Sequence, residues 1–262
     1  FIMTDSLLLN AISWAREAGA VHLRYFRGNQ LEIKSKFNDS DIVTAADKAA
    51  EKLIIDHIKS TYPHHSILSE ESGLENHDSE YRWVIDPLDG TTNFSQGLPQ
   101  FSVSIGIEHN GVTEIGVVYA AYLNELFHAI RGRGAYMNGE LVKVSGKARL
   151  DQCVVATGFP VDKDRNPDNN VDNLTRVLPH VRGMRRLGSA AIDLCYVGAG
   201  FLDGYWELNL HQWDVSAGLL FVEEAGGSYT HFRTDRNVSV LAGTPAIHDQ
   251  LLPMLSTEAA TK

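Results

Sequence analysis

Four short segments place carboxylates where a fold alone gives no reason for them. They are Asp86-Pro87-Leu88-Asp89-Gly90-Thr91, Ser69-Glu70-Glu71-Ser72, Trp213-Asp214, and Asp47 within Asp41-Ile42-Val43-Thr44-Ala45-Ala46-Asp47. The first follows the apolar run Trp83-Val84-Ile85, so a core-like strand is expected to end in a tight acidic turn. Each segment has a plain structural use. Asp-Pro and Asp-Gly pairs make turns, proline fixing φ and glycine accepting φ > 0. Asp214 at the start of an apolar helix reads as an N-cap that also opposes the helix dipole. Thr44-x-x-Asp47 is close to a capping box, with Asp in place of Glu. Glu70-Glu71 reads as a solvated loop.

Together the four segments point elsewhere. Oxygen donors with few histidines beside them describe a hard-cation site, suited to Mg²⁺ rather than zinc. Clustered carboxylates repel one another unless cations offset their charge. Two magnesium ions roughly 3.5–4 Å apart, bridged by one Asp, form a device for phosphoryl transfer to water. Gly90 and Thr91 offer backbone N–H and hydroxyl groups to a phosphate. No serine or cysteine stands in an evident triad pattern, which fits direct attack by water. Asp86 as a covalent nucleophile is the rival use; the Pro87-Leu88 pair and the acids elsewhere favour metal ligation.

These residues have to be carried by elements. Apolar spacing at Leu8, Ile12, Ala15, Ala18, His22 and Tyr25 predicts a helix from Asp5 to about Phe26. A second helix is expected from Thr44 to Ser60, ending before Pro63. Strands are expected at 66–69, 81–85, 101–109 and 113–122, the last two joined at Asn110-Gly111, a hairpin signal. Further strands are expected at 125–131 and 135–144. Beyond residue 145 the pattern alternates: strands at 153–157, 201–207, 227–232 and 238–242, and helices at 171–178, 189–199, 214–225 and from Pro245. The Pro/Asn/Asp-rich stretch 162–172 reads as a loop. Two halves are expected, 1–145 with α+β character carrying most of the metal ligands, and 146–262 with α/β character carrying Asp214 and the substrate contacts.

The chain has 262 residues, 44% of them hydrophobic, enough for a sizeable core. Its formal net charge of −10 is spread along the chain, so no overall basic footprint for nucleic acid or an anionic membrane exists. Arg182, Arg185 and Arg186 are the local exception. Cys153 and Cys195, the only cysteines, read as buried thiols of a reduced compartment. No signal peptide and no uninterrupted apolar run of about 20 residues is evident, so a soluble cytoplasmic protein is expected. Met3 stands third, and Phe1-Ile2 are read as additions ahead of the native start.

The segments Asp86–Asn93 and Trp213–Gly218 with Glu224–Gly227 resemble the two signature motifs of the inositol monophosphatase family. Asp41–Asp47, Glu70-Glu71-Ser72 and Leu187-Gly188-Ser189-Ala190-Ala191 are similar too, in the same order along essentially the whole chain. The resemblance implies a layered αβαβα sandwich of the sugar-phosphatase type, an antiparallel sheet in the first half and a mixed sheet in the second. It implies two Mg²⁺ ions: one on Glu70, Asp86 and the Leu88 carbonyl, the other on Asp86, Asp89 and Asp214. A third, weaker ion near Glu70 is also in the family pattern. Asp47 and Thr91 would activate the attacking water, and the Gly90-Thr91 backbone would hold the phosphate. Gly188, Ser189, Ala190 and Glu207, with Asp89, would face the alcohol. Lithium inhibition and a homodimer are further family traits. Ser69 stands where glycine is frequent, a change expected to leave the ligands intact, and Ser189 stands where threonine is frequent. The loop 158–172 matches nothing in the family pattern.

The activity so implied is hydrolysis of myo-inositol monophosphate or a similar polyol phosphate. Fructose 1,6-bisphosphate, histidinol phosphate, 3′-phosphoadenosine nucleotides and NADP are the same-fold alternatives. Glu207 would repel a second phosphate, whereas Arg182, Arg185 and Arg186 could receive one. A protein-binding scaffold with incidental catalysis is the alternative of another class.

Overall fold

The computed structural model describes residues 2–29, 31–37 and 42–257. Asp41 of the Asp41–Asp47 segment lies outside the described residues. The chain opens with helix α1 (Ile2–Tyr25), a short pair β1 (Lys34–Ser35) and β2 (Ile42–Val43), and α2 (Ala45–Thr61). Strands β3 (Ser66–Ser69), β4 (Gly73–Glu75) and β5 (Tyr81–Asp89) lead into α3 (Thr91–Gln96). A meander follows: β6 (Ser102–His109), β7 (Val112–Ala120), β8 (Glu125–Ile130), β9 (Ala135–Met137) and β10 (Glu140–Val142). The remainder is β11 (Val154–Thr157), α4 (Val171–Val177), β12 (Gly183–Arg185), α5 (Ala190–Gly198), β13 (Gly204–Leu210) and α6 (Gln212–Glu224). It closes with β14 (Ser228–Arg233), β15 (Val238–Gly243) and α7 (Pro245–Leu251).

Two sheets result, an eight-stranded one in the order β10-β9-β8-β7-β6-β5-β3-β4 and a five-stranded one in the order β12-β11-β13-β15-β14. Four apolar clusters separate five layers. Leu7, Ala11, Trp14, Ala18 and Val21 of α1, with Ala50, Ile54 and Ile58 of α2, cover one face of the large sheet. The buried stripe of α1 is centred on these residues, and the expected Leu8, Ile12 and Tyr25 are only partly buried beside it. Ala191, Cys195, Ala217 and Phe221 of α5 and α6 cover the other face. The same two helices pack on the small sheet through Leu194, Val197, Val215, Leu219 and Val222. Val177 of α4 and Ile247 and Leu251 of α7 close its outer face. The architecture is the αβαβα sandwich.

The first sheet is not purely antiparallel. β3 pairs parallel with β5, because after its hairpin with β4 the chain crosses back to run beside β3 in the same direction. The small sheet is mixed, β11 lying parallel to β12 and β13 while β13, β15 and β14 are antiparallel. Both cysteines are buried and unpaired. Among the described residues no helix is long and apolar enough to cross a membrane.

The acidic segment departs from the expected turn in an instructive way. β5 continues through Asp86, Pro87 and Leu88 to Asp89, and its ladder with β6 skips one residue between Asp86↔Ser104 and Asp89↔Ser102. In a regular strand residues i and i+3 face opposite sides. One extra residue restores the same side, and a proline without an N–H is tolerated at such a bulge. Pro87 therefore turns Asp86 and Asp89 onto one face. Its carbonyl points the other way and accepts from His22 Nε2 of α1 at 2.8 Å.

Candidate active site

The two sheets meet at a cleft of about 630 Å³ lined by Glu70, Gly90, Thr91, Asn93, Phe159, Lys163, Arg186, Gly188 and Glu207, among others. A neighbouring hollow of about 310 Å³ shares Glu70, Phe159, Val161 and Glu207 and reaches Lys36, Trp213 and Asp214.

Asp214 lines this hollow, and with the buried Asp86 and Asp89 it makes a floor behind the lining, each of the three offering a carboxylate oxygen within 4.8 Å of the others. Asp214 comes from the third position of α6 and does not cap it alone. His211 is the N-cap, and Asp214 accepts its N–H at 2.6 Å. The helix start is pinned to the large sheet by Glu108, which is 2% exposed and accepts from Gln212 Nε2 (2.5 Å) and Arg82 Nε (2.8 Å). Farther along, α6 lies so close that a Cβ on Gly106 would stand 2.3 Å from Ser216 Oγ.

The rest of the floor is cross-linked. Asp86 accepts from Leu88 N at 3.1 Å. Asp89 accepts from Ser189 Oγ (2.5 Å) and Ala191 N (2.8 Å) at the start of α5. Thr91 Oγ1 lies 2.9 Å from Asp47 Oδ1 and 3.1 Å from the Leu88 carbonyl. Asp47 closes the expected capping box, accepting from Thr44 N at 2.8 Å and Thr44 Oγ1 at 2.6 Å. Gly90 has φ 89°, and a Cβ there would meet the Gln100 carbonyl at 2.7 Å. Asn93 Nδ2 donates to Gln100 O and Leu187 O, both at 2.7 Å, joining the acidic segment to the 187–191 segment.

Charge is concentrated here beyond what solvation relieves. Burial pushes Asp86 well above the usual carboxylate range, and Glu70, Asp89 and Asp214 push the same way. Burial and then Asp214 raise Asp89 to about 7, against the donors Ser189 and Ala191. Burial raises Glu70 to about 7 although Lys36 opposes it. Burial also raises Asp47, despite its bonds from Thr44 and Thr91. Asp86, Asp89 and Asp214, with Glu70 close enough to feel Asp86 and Asp214, offer a crowd of oxygen donors that suits a hard divalent cation. Lys36 supplies a cation of its own, its Nζ bonded to Glu71 and 2.7 Å from Glu70 Oε1. Burial works against that ammonium, but the two glutamates outweigh it and hold its pKa above the ordinary value.

Of the residues expected to meet substrate, Gly90, Thr91, Gly188 and Glu207 line the cleft. Ser189 is 1% exposed and spends its hydroxyl on Asp89 and on capping α5, and Ala190 is 6% exposed; neither lines the cleft. Burial raises Glu207 to about 7, against a 2.5 Å bond from Tyr205 Oη and the charge of Arg186. Lys36, Asn93, Phe159 and Lys163 were not singled out by sequence reasoning. Only Asn93 had a local signal, its place at the end of the Asp86–Asn93 segment.

Residues 3–259 match the model of the inositol monophosphatase family. The chain belongs to that family. The Pasteurella multocida protein named Nus factor SuhB is 45% identical, over 97% of this chain and 98% of its own. The crystal structure of extragenic suppressor protein suhB from Bartonella henselae superposes with a TM-score of 0.89 at 38% identity, covering 95% of this chain and 98% of that one. Inositol monophosphatase from Anabaena superposes with a TM-score of 0.85 at 40% identity, covering 96% and 95%.

Proposed function

We propose that this family member is a Mg²⁺-dependent phosphomonoesterase hydrolysing myo-inositol monophosphate or a similar polyol phosphate by direct attack of water. The observation that carries the reading is the convergence of Asp86, Asp89 and Asp214 within 4.8 Å beneath the cleft. Glu70, Asp86 and the Leu88 carbonyl would hold one ion, Asp86, Asp89 and Asp214 a second, and the Glu70 region a weaker third. Bound magnesium supplies Lewis acidity and offsets charge at the phosphate. The chain's own part is proton handling and placement. Thr91 Oγ1, donating to Asp47 Oδ1, can accept a proton from water and pass its own to Asp47, whose burial makes it the stronger base. The Gly90-Thr91 backbone holds the phosphate, while Gly188 and Glu207 receive the alcohol. Lithium sensitivity, a homodimer and a cytoplasmic location belong to the same reading and rest on the resemblance and the composition.

The name Nus factor on the Pasteurella relative favours a second reading, a scaffold for macromolecular partners with incidental catalysis. One experiment separates them. Phosphate release is measured with and without Mg²⁺ on myo-inositol 1-phosphate, fructose 1,6-bisphosphate, histidinol phosphate, 3′-phosphoadenosine 5′-phosphate and NADP, for the wild type and Asp89→Asn. Magnesium-dependent turnover strongest on the inositol phosphate and lost in the variant is expected. Strongest turnover on another compound moves the substrate, and none on any favours the scaffold.

A further inference from the structure

The turn between β3 and β4 carries Glu70 and closes on Gly73, whose φ is 76° and which pairs with Ser69. A side chain from α2 holds it. Glu51 is 8% exposed and directs Oε1 into the turn, where it accepts from Ser69 Oγ, Glu71 N (3.2 Å), Ser72 N (3.1 Å) and Ser72 Oγ (3.1 Å). Among the described residues no lysine or arginine pairs with Glu51, and all four bonds to its Oε1 come from the turn. A buried carboxylate tolerates that only while the donors stay in place. A second anchor fixes the start of the turn, Glu70 N donating to Ile85 O at 3.2 Å, one residue from Asp86. Glu51 lies four residues after Asp47, on the same face of α2. One helix face thus presents Asp47 to Thr91 and Glu51 to the turn.

We infer that Glu51 is a positioning residue for the cation site: its carboxylate fixes the Ser69–Ser72 turn and so sets how tightly the ion on Glu70 is held. The inference rests on the metal-dependent reading above. It also gives Ser69 a use, since its hydroxyl is one of the four donors, where glycine would leave Glu51 one short.

The test titrates Mg²⁺ into the metal-free full chain by calorimetry, for the wild type, Glu51→Ala, Glu51→Gln and Asp86→Asn, with melting temperatures in chelator. Outer residues of metal sites typically shift affinity by about 10–100-fold. Glu51→Ala is expected to weaken Mg²⁺ binding by that factor, with kcat at saturating Mg²⁺ within about threefold of wild type. Glu51→Gln keeps an acceptor oxygen and should recover part of the loss. If Glu51→Ala does not fold, Ser69→Ala/Ser72→Ala removes the same hydroxyl donors and should weaken binding in the same direction. Folded Glu51→Ala or the double variant binding Mg²⁺ as the wild type does, while Asp86→Asn has lost it, overturns the inference and leaves the reading standing. A wild type that takes up no Mg²⁺ overturns both.

Discussion

The floor of the cleft is tied together by bonds within it, whereas its far wall is held from outside. On the floor, Asp86, Asp89, Asp47 and Thr91 bond to one another's neighbours, and His22 braces Pro87 from below. On the wall, Glu207 bonds to Tyr205, and Phe159, Val161 and Lys163 ride on a loop held by Arg233 and Arg236 through Asp168 and Asp162. Arg233 grips Asp168 through two bonds of 2.8 Å, and Arg236 grips Asp162 at 2.8 and 2.9 Å. A floor built this way cannot change one residue without disturbing the chemistry. A wall built this way can change its facing residues while the anchors stay. On the proposed reading, selection of the alcohol therefore falls to the wall and the reaction to the floor.

The strongest break in that contrast is Asp86→Asn. Asp86 would touch both ions, each supplying several kcal/mol at the phosphate, so phosphate release should fall on the order of 10⁴-fold. The metal-free protein should become more stable, by about 1 kcal/mol or more, because one crowded charge is gone. Urea unfolding in chelator beside the phosphate assay checks both. A variant that loses activity and apo stability together would mean the carboxylates hold the fold, not a cation.

Arg233→Ala attacks the wall from behind. The Arg233 side chain is fully buried, and removing one partner of a buried pair costs about 3–5 kcal/mol. Denaturant midpoints should drop accordingly, and KM should rise more than kcat falls, since the floor is untouched. An equal fall in kcat would show that the loop also orders the floor.

How far the sequence foretold this contrast follows from the range of each interaction. The Asn110-Gly111 hairpin, the Thr44–Asp47 capping box and the alternation after residue 145 are written in neighbouring residues, and each was legible. The convergence of Asp86 with Asp89 was legible only as a motif. Its cause, a bulge against Ser102 and Ser104, depends on the partner strand, so β5 was expected to stop at Ile85 and instead runs to Asp89. The parallel pairing of β3 with β5 was hidden for the same reason. Glu51 and Lys36 carried no signal, because their partners lie about 20 and 35 residues away. The short strands β1, β2, β4 and β12, of two or three residues each, have no periodicity to read.

A smaller effect tests the floor from its underside. A carbonyl can only accept, so His22 Nε2 carries the proton given to Pro87 O, and Nδ1 is buried without a partner. Burial lowers His22 from 6.5 to about 4, against that bond. Between these values the unfolded chain binds a proton that the folded chain refuses, so stability is full above pH 6.5 and is lost as pH falls toward 4. The loss should reach about 2–3 kcal/mol at pH 4.5. His22→Gln cannot titrate, and its stability measured by urea at pH 7 and 4.5 should fall by that much less than the wild type's. Parallel losses would place the acid sensitivity elsewhere.

The smallest expected effect sharpens the contrast most. Glu207→Gln keeps the shape of the wall and removes its charge. For a polyol phosphate it weakens one charge-assisted hydrogen bond, worth about 1.4 kcal/mol, so KM should rise about tenfold with kcat nearly unchanged. For fructose 1,6-bisphosphate the same change removes a repulsion and frees Arg186, whose charge now acts on Glu207, beside Lys163 on the same cleft. Its kcat/KM should hold or rise severalfold, so the preference between the two substrates shifts by more than either rate. If kcat falls alike for both, Glu207 works with the floor, and the division between reaction and selection runs somewhere other than between the two sheets.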